Sequence, residues 1–386
     1  MTSTNYTSIS YLEETTPGTV STAGQFQLLP TTGGAPTGNI TTAVSEVIRR
    51  DRMTDDLIVV DSDVNGDINF EMSYDPYKPL LTSLMRNTAN TIALSGTDIA
   101  ADDSGSQFTS STTDFSSIRV GEFVRMSGFT DSTIDGVYKV TSVAANALGV
   151  SPAPAAAESA GATVAVDGSN IRTGTKVSET YSFLKLIEGI TNPAYFYYTG
   201  CVINKATLNF EMASILKGSF SVVGREEIVT ETPMNGNGFA NVPSYDLMNS
   251  VSSITDIDIE GLSSDTCFQK MDLTFDNKTD AAKCIGTLGA KSHSDFSFEL
   301  KGSVDMYFND IVAYTKYKNS QSFSVAVILK DASNNYFVIY LPKCKFDQLD
   351  APIDGKDNFQ MLSGSFTALR DPTTDMMAQL TFIDHL

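Results

Sequence analysis

The residues best suited to chemistry in this chain are acidic. The stretch "DSDVNGDINFE" sets Asp61, Asp63, Asn65 and Gly66 in the order of a calcium-binding loop, where alternate oxygens ring the ion and glycine makes the sharp turn. Glu71 stands one position too early to close such a loop. The flanks "DLIVV" and "INFEM" alternate like strands, whereas the loop belongs between helices. Asn65-Gly66 therefore reads as a hairpin turn, with no calcium expected. A second run, "DIDIE", puts Asp256, Asp258 and Glu260 on one strand face, spaced too evenly for a catalytic pair.

Nucleophilic chemistry has little to draw on. The histidines are His293 and His385, and neither stands in the context of a Ser-His-Asp or Cys-His site. Cys201, Cys267, Cys284 and Cys344 lack C-x-x-C spacing or a nearby histidine, so they read as buried free thiols. No phosphate-cradling loop, dinucleotide fingerprint or metal-ligand cluster is present. The expectation is no enzyme, no cofactor and no metal.

The elements that must position these residues are strands. With 386 residues, 41% apolar and 19% charged, the chain can bury sizeable cores. Its formal charge of −20 argues against gripping nucleic-acid phosphates, which takes clustered Lys and Arg. It permits a surface that DNA passes without sticking. The start, "MTSTNYTSISYLEETTPGTV", lacks a basic segment and an apolar core, so no export signal is expected. The run "VAVIL" is far short of the roughly 20 residues of a membrane helix. Synthesis and folding in a cytoplasm follow as the expectation.

Residues 1–40, rich in Thr, Ser, Gly and Pro, read as an extended arm without a core. Alternating strands follow, then "DPYKPLLTSLMRN", a short amphipathic helix after a Pro-rich start. From 91 to 174 the composition shifts to Ala, Ser, Thr and Gly with closely spaced turn signals, the pattern of a small all-β module. Strands resume from 175 to 235, a polar linker spans 236–249, and 250–386 forms the remainder.

One pentapeptide recurs: "LKGSF" at Leu216 to Phe220 and "LSGSF" at Leu362 to Phe366. "DINFEM" at Asp67 is echoed by "DFSFEL" at Asp295, and each is followed by a helix-like stretch. The interval from Phe70 to Phe220 exceeds that from Phe298 to Phe366 by about the length of 91–174. The expectation is one β fold written twice: 41–90 with 175–235, and 250–386. The module 91–174 is inserted in the first copy and projects outward. In both echoes alternation puts acids on one face, Asp67 and Glu71 or Asp295 and Glu299, and apolar residues on the other.

"YLEETTPGTV", "FQLLPTTGG" and "SEVIRRDRMTDDLIVVDSDVNGDINFEMSYDPYKPLLTSLM" resemble the tail tube (major tail) proteins of long-tailed, non-contractile bacteriophages. The likeness is strongest over 1–90 and rests on the duplication over 250–386. It implies a mainly β protein: two tandem copies of a β-sandwich or split barrel, each with a flanking short helix. It also implies stacked rings forming a hollow tube, usually of six folds, so that two folds per chain give a pseudo-sixfold trimer. Implied partners are further copies of the chain, tape measure, tail terminator and distal tail proteins, and DNA in transit without specific binding. The place is the virion tail, after assembly in the bacterial cytoplasm. Candidate lumen-facing acids are Asp67, Glu71, Asp295 and Glu299, or the column Asp256, Asp258 and Glu260. A cell-surface, adhesin-like β protein is the alternative. A glycan-cleaving tail component would need two carboxylates brought together by folding.

Overall fold

The computed structural model describes residues 3–242, 246–263, 265–353 and 355–385. Residues 1–2 of the expected arm, 243–245 of the expected linker, and 264, 354 and 386 of the second fold lie outside the described residues. The first half opens with β1 (Thr7–Glu13), β2 (Phe26–Leu28), β3 (Thr37–Val44), β4 (Leu57–Glu71) and helix α1 (Lys78–Leu84). Proline in its first turn starts α1, and Leu80, Leu81 and Leu84 bury one face. A run of short strands comes next: β5 (Asn90–Gly96), β6 (Ala100–Asp102), β7 (Gln107–Thr109), β8 (Phe123–Ser127), β9 (Gly136–Ala144), β10 (Ala147–Ser151) and β11 (Val164–Arg172). The half ends with β12 (Tyr181–Ile187), β13 (Ala194–Glu211), β14 (Lys217–Gly224), β15 (Glu226–Thr230) and β16 (Phe239–Ala240).

The second half contains β17 (Ile254–Ile259), β18 (Phe268–Asp276), the hairpin β19 (Asp280–Lys283) and β20 (Ala290–Ser294), and β21 (Glu299–Tyr307). Helix α2 (Val312–Lys318) leads to β22 (Phe323–Lys330), β23 (Tyr336–Asp350), β24 (Met361–Ala368) and β25 (Gln379–Ile383). Its pairings repeat those of the first half. β1 lies on β12 as β17 lies on β22; β4 lies between β3 and β14 as β21 lies between β18 and β24. The long strands β13 and β23 each pass from one sheet segment to another. β13 pairs first with β12 and β15, then with β14 and β18; β23 pairs first with β22 and β25, then with β24. Gly200, at φ +61°, takes the left-handed conformation near the crossing point of β13.

The main core joins both halves. Phe70 stacks between Tyr77 and Phe220 at centroid distances of 4.2 and 4.7 Å. Gly218 sits opposite Phe70, and a β-carbon there would collide with the ring. In the second half Gly302 makes the same allowance for Phe366. A separate core lies within the inserted segment, built from residues such as Ile92, Phe108, Phe115, Val140, Leu148 and Val166. The two ends of that segment meet where Asn90 faces Asn170. A third cluster, Phe123 with Val338, Tyr340 and Met376, fastens it to the second half.

Several expectations are corrected. Asn65-Gly66 is no hairpin turn: β4 runs straight through it, and Gly66 leaves room for the chain crossing at Ala35 and Pro36. The turn lies in 45–56 instead. Residues 1–40 are not a bare arm, because β1 pairs along its whole length with β12 and buries Ile9 and Tyr11. The expected linker is stitched in as well. β16 pairs with β2, and Met248 is buried, bonded to Met72 and Leu216. Cys201 and Cys344 are buried, but Cys267 and Cys284 are exposed.

The echo of Asp67–Met72 in Asp295–Leu300 is also out of register. Gly218 pairs opposite Phe70 while Gly364 pairs opposite Val304, and residues 295–298 precede β21 rather than form it. An even-numbered slip keeps every apolar side chain on the same face, so alternation alone could not reveal it.

Candidate functional site: a polar sheet face

Eight antiparallel strands form one continuous row in the order β3, β4, β14, β13, β18, β21, β24, β23. Alternation divides it into a core face and a polar face. On the core face Ile68, Phe220, Ala206, Phe275 and Leu300 follow one another across the strands. The polar face has its own rows. One runs Asp67, Ser221, Lys205, Asp276, Glu299. The next is Asn69, Ser219, Thr207, Thr274, Lys301, Thr367, Lys345. A third runs Glu71, Lys217, Asn209, Asp272, Ser303, Ser365, Gln348, and a fourth Glu211, Lys270, Asp305, Ser363, Asp350.

Acids outnumber lysines on this face, and several lysines are engaged. Lys270 reaches Asp272 at 2.9 Å, while Glu299 holds Lys278 at 2.6 Å and Lys301 at 2.5 Å. Hydrogen bonds from those two lysines lower the Glu299 carboxyl to about 2. Asn209 donates to Asp272 at 2.8 Å and Thr367 to Asp347 at 2.6 Å. The face offers short polar groups and paired charges, without a nucleophile beside a base.

Of the acids singled out in the sequence, Asp67, Glu71 and Glu299 come together here. Asp295 does not. It is half-buried and bound by Arg86 Nε at 2.6 Å, with Ser178 Oγ and the Thr279 hydroxyl also donating to it. Burial opposes its charge, but Arg86 and Thr279 outweigh that and hold the carboxyl below its usual range. Asp256 and Asp258 are exposed on β17, which pairs only with β22 among the described residues. Partial burial, then the neighbouring Asp258, pushes Asp256 up. Glu260 lies just past that strand and accepts the Ser324 N–H at 2.9 Å. Sequence reasoning did not single out the lysines at 205, 217, 270, 301 and 345, although "INKATLNFE" carries Lys205 and "FQKMDLTFD" carries Lys270 in the same alternation as the acids.

The row has open margins. β3 pairs only with β4 among the described residues, and β23 from Lys345 to Asp350 pairs only with β24. The β3–β4 hairpin projects with Leu57, Ile58, Val59 and Val60 all exposed, so apolar groups show on both of its faces. At the opposite end of the strands Met212, Val251, Ile311, Ile353 and Phe359 are exposed.

The family model described as phage tail tube protein matches residues 4–368, nearly the whole chain. The chain belongs to the phage tail tube family. No curated protein sequence matches it. As a tail tube protein it is a structural subunit of the virion tail, and its strand-rich fold suits that role. Among the described residues of this tail tube chain, no group of three or more His, Cys, Asp or Glu could hold a metal, and no helix is long and apolar enough to cross a membrane.

Proposed function

We propose that this chain assembles with copies of itself into rings stacked as a tube, with the polar sheet face lining the bore through which DNA leaves the virion. The observation that carries this is the joint between β13 and β18, from Lys205 opposite Asp276 to Glu211 opposite Lys270. It is where the two halves of one chain meet in the sheet. In the repeated pairing pattern the counterpart of β13 is β23, and that of β18 is β3 with the segment before it. Those are the two open margins of the row. Pairing β23 of one copy with β3 of the next repeats the internal joint and removes both edges. Each chain then contributes two tandem folds, so three chains close a pseudo-sixfold ring.

Stacking is supported by the exposed apolar hairpin at one end of the strands and the exposed apolar loops at the other. The bore would be acidic in net charge, because acids outnumber lysines across the rows and Lys270 and Lys301 are tied to Asp272 and Glu299. DNA carries about one charge per 1.7 Å of axis, so a wall of free cations would retain it and this wall would not. On this reading the tail is of the long-tailed, non-contractile type that the sequence resembles, assembled in the bacterial cytoplasm with tape measure, terminator and distal tail proteins, and the chain has no enzymatic role. Negative-stain microscopy of the purified chain is expected to show rings or tubes. Monomers alone, at every concentration and salt tested, would sink this assignment.

A further inference from the structure

Arg225 is a half-buried arginine of a different kind from Arg86 and Arg172. Arg86 and Arg172 donate to carbonyl oxygens and face carboxylates. Among the described residues, no ion pair or hydrogen bond engages the side chain of Arg225. It lies across Gly18 and Gly200, both in the left-handed region at φ +81° and +61°. A β-carbon on Gly18 would stand 2.8 Å from its Nη1, and one on Gly200 2.9 Å from its Cβ. The glycines therefore clear the floor on which the side chain rests.

Above that floor is a half-open cavity of about 140 Å³. Lys291 and His293 of β20 line it together with Arg225 and Thr180, Val177 and Val202 add apolar wall, and no carboxylate lines it. In a chain of charge −20 that is an unusual collection of donors. Glu14 lies behind the same two glycines, but its oxygens are spent on the N–H groups of Gly18 and Gly200 and on the Ser182 hydroxyl. Its charge offsets part of the cluster, which favours a guest of low charge.

We propose that this cavity is an oxyanion site that takes a carboxylate or a phosphate group, with Arg225 and Lys291 as its charged donors. The guanidinium supplies the directional hydrogen bonds, and the ammonium adds a mobile second charge. The site belongs to the single chain and does not rest on ring formation.

Titration calorimetry of the purified full-length chain with inorganic phosphate, and separately with acetate, tests it in low-chloride buffer. One saturable site per chain is expected. Arg225→Ala should weaken binding about tenfold or more, as loss of a charge-assisted hydrogen bond implies. Arg225→Lys should weaken it less, and the distant Lys316→Ala not at all. Lys291→Ala, at an exposed position, keeps the test open if Arg225→Ala fails to fold. Repeating the titration on assembled material separates the sources. A site still open there takes a free ion, and a site closed there is filled by a neighbouring copy's carboxylate. Absence of saturable phosphate and acetate binding in the wild-type chain overturns the proposal, as does unchanged binding in folded Arg225→Ala and Lys291→Ala.

Discussion

Arg86 holds three parts of the molecule with one guanidinium: the Ser83 carbonyl at the end of α1, the Ile203 carbonyl of β13, and Asp295 before β21. Replacing Asp295 by Asn keeps its shape but strands a buried cation, so about 3 kcal/mol of stability should be lost at neutral pH. The pH dependence has a definite sign. The folded carboxyl lies below its ordinary value of about 3.9, so its contribution is present above that pH and disappears as pH falls through the folded value. Thermal melts should therefore show a full gap between wild type and Asp295→Asn at pH 6 and a narrowing gap below about pH 3; a gap of constant size would contradict this assignment. Gly218 makes a second test. Gly218→Ala drives a methyl group into Phe70 and should cost about 1–3 kcal/mol, whereas Gly236→Ala, facing open space, should leave the melting temperature unchanged. Equal melting temperatures for both variants would remove the packing account of Gly218. At this scale alternation gave the sheet face of Asp67 and Glu71, but it gave neither the place of Asp295 nor the partner of any of them. Alternation assigns a side, and Asp295 met Arg86 through a contact more than two hundred positions away in the chain.

The inserted segment illustrates what can be read at the scale of elements. Composition suggested where it begins and ends, and in the structure Asn90 pairs with Asn170. Its docking was not visible, because the side chains that fasten it are ordinary strand residues on two distant stretches. β11 continues into a pairing with β25, and Phe123 packs edge-on against Tyr340 at 5.4 Å. Asn170, Gln379 and Thr381 bond to one another in the buried seam, with Glu122 close by on Asn90. Phe123→Ala should therefore destabilise the second half as well as the module, by about 3–5 kcal/mol overall. Removing the module should expose Val338 and Tyr340 and lower the denaturation midpoint of what remains. A trimmed chain with an unchanged midpoint would make the module a free appendage after all.

For the whole molecule, the two Leu-x-Gly-Ser-Phe strands, β14 and β24, lie against β4 and β21 in registers that the sequence echo does not give. The polar face emerges only when strands from both halves are laid side by side, so its mixture of lysine and acid could not be read from one stretch at a time. Charge reversal tests its role. Asp67→Lys with Glu71→Lys adds unpaired cations to a face whose lysines at 270 and 301 are already engaged. Phage carrying both changes should assemble tails yet release DNA more slowly, with the deficit shrinking as salt rises toward a Debye length of about 3 Å at 1 M. Release at the wild-type rate in low salt would show that these residues do not face the DNA. Beyond charge, the long strand β13, which changes partners along its length, has a mechanical consequence. β13 is gripped on both sides along most of its length, so a load drawn along its axis meets many hydrogen bonds in shear at once instead of opening them one at a time. A wall built on such strands resists stretching far better than peeling, and single-molecule pulling should record a high rupture force when handles are placed at the ends of β13.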